Sequence, residues 1–296
     1  MSDPTSASTR ELPSSEVRFD YRGEPVAFKS VDRNDHIIRD MQRRGTFYES
    51  DVLERLGQLL QKRPKGVSID AGAFIGSHSV YFARFCGLKP VLAFEANPDT
   101  FPLLLHNIQI NNLADVVIPM NRALGASPGY GHVIPGGNTN QGHSSVSLDG
   151  EKKGASVCVC TVDDEVAALL KEGLSIALIK IDVEGAELEV LRGARRTITE
   201  HTPLLSIEVH SFRNLRRVLS LLRRDQYWII DCLGYSPTYI IESTNASSLK
   251  RLLVNVLWLL RAAVPANSSR RGHRVKRRLR NLAQKFTMGW RDVDHS

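Results

Sequence analysis

VSIDAGAFIG, at Val67–Gly76, is a short β-rich run followed by a turn that contains Gly72 and Gly76. An apolar helical segment at 78–85 comes next. A strand, a glycine turn and a helix in this order are typical of the place where a doubly wound α/β sheet binds its ligand. The glycine spacing differs from the dinucleotide fingerprint GxGxxG, and no Walker A loop is present, so these two nucleotide sites are not indicated.

Apolar runs and amphipathic helical patterns alternate along the rest of the chain. This alternation predicts an α/β fold with a mainly parallel sheet and helices on both faces, closed by a terminal antiparallel hairpin. The glycine-rich segment 129–142 is predicted to be a mobile loop. Strands are predicted at 26–29, 67–70, 91–94, 116–119, 156–162, 176–181, 204–209, 227–231 and 238–241, and helices at 35–41, 50–61, 78–85, 100–111, 164–171, 186–196 and 215–223.

An acidic side chain ends the second strand of this unit. Glu95 follows the run 91–94 and comes 25 positions after Asp70. A carboxylate at this place can accept hydrogen bonds from the two hydroxyls of a ribose. Asn97 then turns the chain into the next helix. Together, Asp70, Gly72, Gly76 and Glu95 predict an adenosine-containing cofactor across the tips of the first two strands.

Cysteine usage and the N-terminus favour a cytoplasmic protein. The four cysteines, Cys86, Cys158, Cys160 and Cys232, form no CxxC pair, and they are predicted to be buried free thiols in a reducing compartment. Residues 1–16 are rich in Ser, Thr and Pro and lack the apolar core of a secretory signal, so we expect this segment to be disordered.

At this point the chain resembles the FkbM-type methyltransferase family. The block Ile179–Glu187, which reads IKIDVEGAE, is the most specific part of the resemblance, and the likeness covers roughly 47–210. Further residues that carry it are Asp70–Gly76, Phe94–Pro98, Leu191–Ala194, Glu208–His210 and Asn138–Val146.

The resemblance implies a Rossmann-like class I methyltransferase fold with S-adenosylmethionine as the methyl donor. It also implies an oxygen acceptor, such as a hydroxyl of a small molecule, sugar, glycan or glycolipid. Phe74 is one departure, because the family more often carries Asn there. The cofactor-binding residues are then expected to be Asp70, Gly72, Ala73, Gly76, Glu95, Ala96 and Asn97.

The acidic block after the strand 176–181 supplies candidates for catalysis. Strand alternation sends Lys180, Asp182 and Glu184 to one side of the sheet, near its mouth. Asp182, Glu184 or His210 is expected to take the proton of the acceptor. The alternatives are a Lys180–Glu184 ion pair with Asp182 capping the next helix, an interior position for His210, and a Mg²⁺ ion at the two carboxylates, for which a third ligand is not evident.

The glycine-spaced loop between 138 and 145 supplies candidates for acceptor recognition. Its polar side chains can hydrogen-bond a hydroxyl-rich substrate, and a solvated loop without such a role is the alternative. The expected substrate-binding residues are Asn138, Asn140, His143 and Ser144.

The C-terminal region carries most of the charge. The chain has a net charge of +7, and nine Lys/Arg against two Asp/Glu lie from Arg270 onward. Residues 249–264 form an apolar segment that is short for a bilayer span, so it either docks on the domain or lies at a membrane surface. The basic tail can bind anionic lipid or nucleic acid, or stay solvated.

Three regions are therefore expected: a disordered segment at 1–25, a methyltransferase domain with an N-terminal helical lid at 26–245, and an apolar helix with a basic tail at 246–296. A nucleic-acid methyltransferase and a catalytically silent binding protein of the same fold are the rival functions. The sequence leaves the oligomeric state open.

Overall fold

The computed structural model describes residues 15–30, 35–134, 145–147, 154–169, 173–234, 236–244, 248–263 and 275–284. Its centre is a seven-stranded sheet. In spatial order the strands are β12 (Tyr227–Leu233), β13 (Thr238–Ser243), β11 (Leu204–Glu208), β10 (Ile176–Ile181), β3 (Val67–Ala71), β4 (Val91–Phe94) and β5 (Val117–Met120), numbered along the chain.

Five neighbouring strands of this sheet, from β11 to β5, run parallel. The last two strands form an antiparallel hairpin, in which β13 pairs with β11 on one side and with β12 on the other. The predicted fold, a mainly parallel sheet with a terminal hairpin, is therefore confirmed. The carboxyl ends of β4, β3 and β10 lie side by side, and this edge of the sheet carries the candidate site.

Helices cover both faces of the sheet, as expected. Alternate residues of the strands point to opposite cores: Ile179 and Ile181 of β10 enter one apolar cluster, and Leu178 enters the other. The helices of the first face are α5 (Val162–Leu169), α6 (Glu187–Gly193), α7 (Arg195–His201), α8 (Phe212–Leu222) and α9 (Ser248–Ala263). Those of the second face are α1 (His36–Arg44), α2 (Ser50–Leu60), α3 (Ser77–Arg84) and α4 (Phe101–Ile110).

The expectation of disorder over 1–25 is wrong for residues 15–25. Strands β1 (Ser15–Tyr21) and β2 (Glu24–Ser30) form a hairpin whose two turn residues, Arg22 and Gly23, both have positive φ. A two-residue turn of this kind matches the twist of the strands it joins. The hairpin is ordered because its apolar side chains, including Val17 and Tyr21, are buried in the core beneath α1 and α2.

The expectation of a mobile loop at 129–142 is wrong for its first part. Residues Gly129–Ile134 form β7, which pairs with β9 (Ala155–Cys160) in a second, four-stranded sheet. Burial of Val133 against Val157 and Val159 outweighs the flexibility that the glycines suggest. The other strands of this sheet are β6 (Ala123–Leu124) and β8 (Ser145–Ser147).

The C-terminal region is joined to the domain over its described part. Val254 and Trp258 of α9 are fully buried in the core of the first face, so the docked alternative is confirmed for this helix. A further helix at 275–284 buries Ala283 and donates a hydrogen bond from Gln284 to Asp231 (2.9 Å). Along the described ranges, no helix combines the length and apolarity needed to cross a bilayer.

The four cysteines carry free thiols, and Cys86, Cys160 and Cys232 are buried as expected. Cys158 is exposed, which corrects the expectation for that residue. The cause is the alternation of β9, because Val157 and Val159 take the inward positions on either side of it.

Candidate active site

A cleft opens at the carboxyl ends of β3, β4 and β10. Five of the residues predicted for the site line it: Gly72, Glu95, Ala96, Asp182 and Glu184. Ile37 of α1 covers it from the side of the N-terminal helices. The space inside the cleft and at its opening to solvent is about 750 Å³.

The turn after β3 brings the backbone close to the cleft. Gly72 has a φ of 78°, and a Cβ at this residue would lie 1.8 Å from the carbonyl oxygen of Asp182. Only glycine fits here, because both the backbone conformation and the contact exclude a side chain. Gly76, with a φ of 87°, ends the turn and packs against Leu104 of α4, so it shapes the turn without lining the cleft.

Glu95 is held by the backbone on two sides. Its Oε2 accepts a hydrogen bond from the N–H of Phe74 (2.8 Å), and its Oε1 accepts one from the N–H of Asn97 (2.8 Å). Burial raises the pKa of Glu95 to about 7, against the opposing effect of these two hydrogen bonds. The carboxylate is therefore fixed at the wall of the cleft, with lone pairs left to accept hydroxyl donors.

Phe74 adopts a left-handed conformation, with a φ of 50°. Asn tolerates this conformation better than other side chains. Phe74 contacts Glu95 through its backbone N–H, so replacing the Asn of the family by Phe does not remove this hydrogen bond. Phe74 also lines the cleft, where its ring offers an apolar surface.

Asp70 lies outside the lining of the cleft, so its expected role in cofactor binding stays a prediction. Its side chain is fully buried, with Oδ2 accepting a hydrogen bond from the hydroxyl of Ser79 (2.6 Å) and Oδ1 3.3 Å from Nζ of Lys180. It lies behind the cleft because the last side chains of β3 alternate, and Ala71 takes the cleft position. Asp70 thus ties α3 and β10 to β3.

Ala73, Gly76 and Asn97 likewise lie outside the cleft lining, and all three are buried. Asn97 supports the site through its backbone N–H on Glu95, and its Oδ1 accepts from the N–H of Asp99 (3.0 Å). The expected role of these three residues in cofactor binding stays a prediction.

Lys180 joins the two central strands beneath the cleft. Its Nζ lies 2.8 Å from the carbonyl oxygen of Gly72 and 3.3 Å from the carboxylates of both Asp70 and Asp182. Burial opposes its charge, but the two carboxylates outweigh this effect and raise the pKa of Lys180. The ion pairs of Lys180 are thus made to Asp70 and Asp182, in place of the Glu184 pair considered from the sequence.

Asp182 does not cap a helix, so that alternative is wrong. Helix α6 begins at Glu187, its preceding residue Ala186 makes no side-chain cap, and the Glu187 carboxylate accepts from the N–H of Gly185 (2.6 Å). Asp182 instead lies at the mouth of the sheet with a side chain 27% exposed, where it lines the cleft.

Asp182 and Glu208 form a hydrogen-bonded pair of carboxyl groups at the ends of β10 and β11. Burial acts to raise the pKa of Asp182, but the Lys180 ammonium and the hydrogen bond with Glu208 outweigh it, so this pKa is lowered. Burial and the charge of Asp182 raise the pKa of Glu208. Both shifts act in the same sense and favour a proton on Glu208 over a proton on Asp182.

His210 is half exposed, so the interior alternative is wrong. Its Nε2 lies 3.3 Å from Glu208 and 3.8 Å from Glu184, and it stands at the rim, outside the cleft lining. Glu184 lines the cleft with a left-handed backbone (φ 51°), a strained conformation for a glutamate.

The remaining sequence hypotheses concern substrate and metal. Asn138, Asn140, His143 and Ser144 lie outside the described residues, so their role stays a prediction. Among the residues that the structure describes, no cluster of three His, Cys, Asp or Glu side chains is arranged to hold a metal ion.

Sequence reasoning missed two groups of residues. Arg122, just beyond β5, lines the cleft and pairs with Glu165. The position of Arg122 just after a parallel strand is the feature of the sequence that could have indicated a role in the site. Glu49 and His78 approach the Lys180–Asp182 pair from the second face, and they line a small cavity together with Glu208. No strand end or motif marks either residue in the sequence.

Comparison with known proteins decides the family. The model of the methyltransferase FkbM domain matches residues 70–229, which is more than half of the chain. The chain belongs to the FkbM methyltransferase family. It is accordingly an S-adenosylmethionine-dependent methyltransferase, as the resemblance implied.

Relatives with assigned names include the hexuronic acid methyltransferase AglP of Haloferax volcanii, 32% identical over 186 residues that cover 62% of this chain and 70% of AglP. Methyltransferase sdnD of Sordaria araneosa is 28% identical over 185 residues, covering 53% of this chain and 71% of sdnD. Among solved structures, the FkbM methyltransferase of Methylobacillus flagellatus has a TM-score of 0.41 and 21% identity, over 60% of this chain and 43% of that one.

The cleft fits the methyl donor on three counts. The glycine turn at Gly72 leaves backbone exposed at the cleft wall, and the Glu95 carboxylate is fixed where ribose hydroxyls are bound in this type of sheet. Apolar surface from Phe74 and Leu124 is available for an adenine ring.

Proposed function

We propose that this FkbM-family enzyme transfers a methyl group to a hydroxyl oxygen of a sugar, either free or within a glycan or glycolipid. The observation that carries the proposal is the carboxyl group of Asp182 in the wall of the donor cleft, 3.3 Å from the Lys180 ammonium group. The relative named as a hexuronic acid methyltransferase supports a sugar acceptor.

At the donor end, we assign Gly72, Glu95 and Ala96 to the binding of S-adenosylmethionine. The Glu95 carboxylate accepts hydrogen bonds from the ribose hydroxyls, and Gly72 allows the donor to approach the backbone. When bound, S-adenosylmethionine supplies a methyl group on a positively charged sulfur, which a hydroxyl oxygen can take as it loses its proton.

At the acceptor end, we assign Asp182 to receive that proton. The lowered pKa keeps Asp182 ionised near neutral pH, and its hydrogen bond to Glu208 and ion pair with Lys180 fix its orientation. Glu184 lines the same wall, and His210 at the rim is placed to pass a proton to solvent through Glu184 or Glu208.

The test is methyl transfer by the full chain from radiolabelled S-adenosylmethionine. The acceptors are methyl β-glucuronoside and the lipid, glycan and nucleic-acid fractions of a cell extract. We expect label in sugar-containing material, with the new methyl ether located by mass spectrometry. Label confined to nucleic acid, or no transfer to any fraction, would overturn the proposal.

A matched pair of variants tests the assigned base. Asp182→Asn is expected to lower turnover by about a hundredfold or more, since general bases contribute at least this much, while leaving donor binding within a small factor. Asp115→Asn changes an exposed aspartate before β5 and serves as the control. Equal turnover in the two variants would remove Asp182 from the mechanism.

A further inference from the structure

A second cavity lies outside the donor cleft, between α1 and α2. It has a volume of about 740 Å³, large enough for a sugar. None of the residues singled out from the sequence lines it. Its lining carries charges of both signs, with the carboxyl groups of Asp40, Glu49 and Asp51 beside the cationic side chains of Arg39, Arg43 and Arg44, and with His36 and Tyr48.

This outer cavity is connected to the donor cleft by shared residues. Glu49 lines both the outer cavity and the small inner cavity that also contains Lys180 and Glu208. Asp182 lines both the inner cavity and the donor cleft. Glu49 therefore stands between the outer cavity and the assigned base, and the inner cavity beside it has a volume of only about 10 Å³.

The backbone at the start of α2 fixes the position of Glu49. It has a left-handed φ of 52°, and its carbonyl oxygen accepts the first hydrogen bonds of α2, from Val52 and Leu53. Its side chain is nearly buried, and burial together with the charge of Asp182 raises its pKa to about 7. A strained backbone that directs a buried carboxyl group at a cavity is typical of a functional position.

His78 adds a polar atom at the same place. It is buried, Tyr48 engages it through a backbone hydrogen bond, and burial lowers its pKa to about 4, so the ring is neutral. Its Nε2 has no hydrogen-bond partner among the described residues and lies 3.6 Å from a carboxylate oxygen of Glu49. An incoming hydroxyl group would satisfy this buried atom.

The outer rim of the cavity is rich in cations. Arg39 and Arg43 are four residues apart on α1, so they project from the same face of the helix, and both are exposed. Asp40 pairs with Arg43 at 2.6 Å, which orients that guanidinium while leaving further N–H donors for a ligand. A pair of guanidinium groups at this spacing suits a carboxylate.

We propose that the outer cavity is the acceptor site, that Arg39 and Arg43 bind the carboxylate of an acidic sugar, and that Glu49 directs a hydroxyl of this sugar toward Asp182. This proposal rests on the proposed function and narrows its acceptor to a uronic acid. It also gives the N-terminal helices a role in substrate recognition beyond covering the donor.

The probes are methyl β-glucuronoside and its neutral counterpart, methyl β-glucoside, titrated into the full chain saturated with S-adenosylhomocysteine. We expect the glucuronoside to bind at least about tenfold more tightly, which is the effect of one charge-assisted contact. Arg39→Gln/Arg43→Gln is expected to abolish this difference. The control is Arg217→Gln, which changes an exposed arginine of α8 on the opposite face of the sheet.

Glu49→Gln tests the connection to the base. Its turnover on methyl β-glucuronoside at pH 8 is expected to fall about tenfold with no weakening of glucuronoside affinity, because a neutral amide directs the hydroxyl less strongly than a carboxylate. Unchanged turnover would overturn the role of Glu49, and equal binding of the two glycosides, or no binding of either, would overturn the acidic-sugar site.

The titration of S-adenosylhomocysteine separates this proposal from the proposed function. If the wild-type chain does not bind S-adenosylhomocysteine, the donor site itself is wrong. If it binds S-adenosylhomocysteine with the same affinity in all variants but the arginine variant keeps its preference for the glucuronoside, only the acceptor site is wrong. Unchanged S-adenosylhomocysteine affinity in the variants also shows that they are folded.

Discussion

The carbonyl oxygen of Asp182 lies 1.8 Å from the position that a Cβ on Gly72 would occupy. The turn after β3 and the end of β10 are thus packed backbone to backbone at the floor of the donor cleft. Lys180 reinforces the contact, because its ammonium group donates to the Gly72 carbonyl and pairs with Asp182. The donor-binding turn and the assigned base are therefore one rigid unit.

Gly72→Ala is expected to abolish donor binding. The new methyl group would push Asp182 away from the turn, and the left-handed backbone adds a cost of about 1–2 kcal/mol. Gly23→Ala is the matched control, because Gly23 has a similar φ of 81° but no atom within 4 Å of its Cβ position. Calorimetric titration with S-adenosylhomocysteine checks the prediction, and comparable affinities in the two variants would refute it.

Lys180→Met is expected to lower the free energy of unfolding by about 3–5 kcal/mol, since it leaves the buried carboxylate of Asp70 and the partly buried carboxylate of Asp182 without their cation. Lowering the pH should restore part of this loss, because protonation neutralises the two carboxylates. Urea denaturation at several pH values measures both effects. Lys65→Met, which removes a single hydrogen bond to the Cys86 carbonyl, is the control.

Donor binding is expected to weaken as the pH falls through about 7. Burial raises the pKa of Glu95 to about 7 in the free protein. Below this value the side chain gains a proton and loses acceptor capacity for the ribose hydroxyls, whereas above it the carboxylate is fully available. Titration with S-adenosylhomocysteine between about pH 5.5 and 8.5 measures this effect. The affinity of the wild type should fall toward low pH, and the affinity of Glu95→Gln should not change with pH.

Peripheral membrane contact through the C-terminal region is a further expectation. Leu253, Val256 and Leu260 form an exposed apolar stripe on α9, on the side away from the buried Trp258. The neighbouring helix at 275–284 carries a cluster of Lys and Arg that favours anionic lipid. Vesicles of phosphatidylserine and phosphatidylcholine should therefore retain the wild type at low salt.

A triple variant, Leu253→Ser/Val256→Ser/Leu260→Ser, tests whether the apolar stripe makes this contact. It should release from the anionic vesicles and keep its affinity for S-adenosylhomocysteine. Equal retention of the wild type on pure phosphatidylcholine, or of the triple variant on anionic vesicles, would refute a contact made by this stripe and the basic helix.

The central sheet was predictable because its strands are continuous apolar runs. The prediction for β10, 176–181, matches its observed bounds, and that for β4 does as well. In the second sheet only β9 was predicted, as a strand at 156–162. Strand β7 was missed because it contains two glycines, and β6 and β8 were missed because they are only two and three residues long. In the N-terminal hairpin, β2 was predicted in part, as a strand at 26–29. Strand β1 was missed because its polar alternation resembles a solvated segment until Phe47 packs against it.

The site was predictable where chemistry follows a strand end. Gly72, Glu95 and Asp182 each come directly after a parallel strand, and such ends converge at one edge of the sheet. Asp70 shows the limit of this argument. It comes one residue before the end of β3, and because side chains alternate along a strand, this shift of one residue turns its side chain away from the cleft. Glu49 and His78 reach the same edge from helices, so only the three-dimensional packing brings them to Asp182.

The most direct test is calorimetric titration of S-adenosylmethionine into the wild type, Glu95→Ala and Glu24→Ala, the last of which removes a largely exposed glutamate of β2. Loss of the hydroxyl contacts and of the support for the turn at Phe74 should weaken binding in Glu95→Ala by about tenfold or more. Glu24→Ala should bind as the wild type does. An unchanged affinity in Glu95→Ala would contradict the placement of the donor in this cleft.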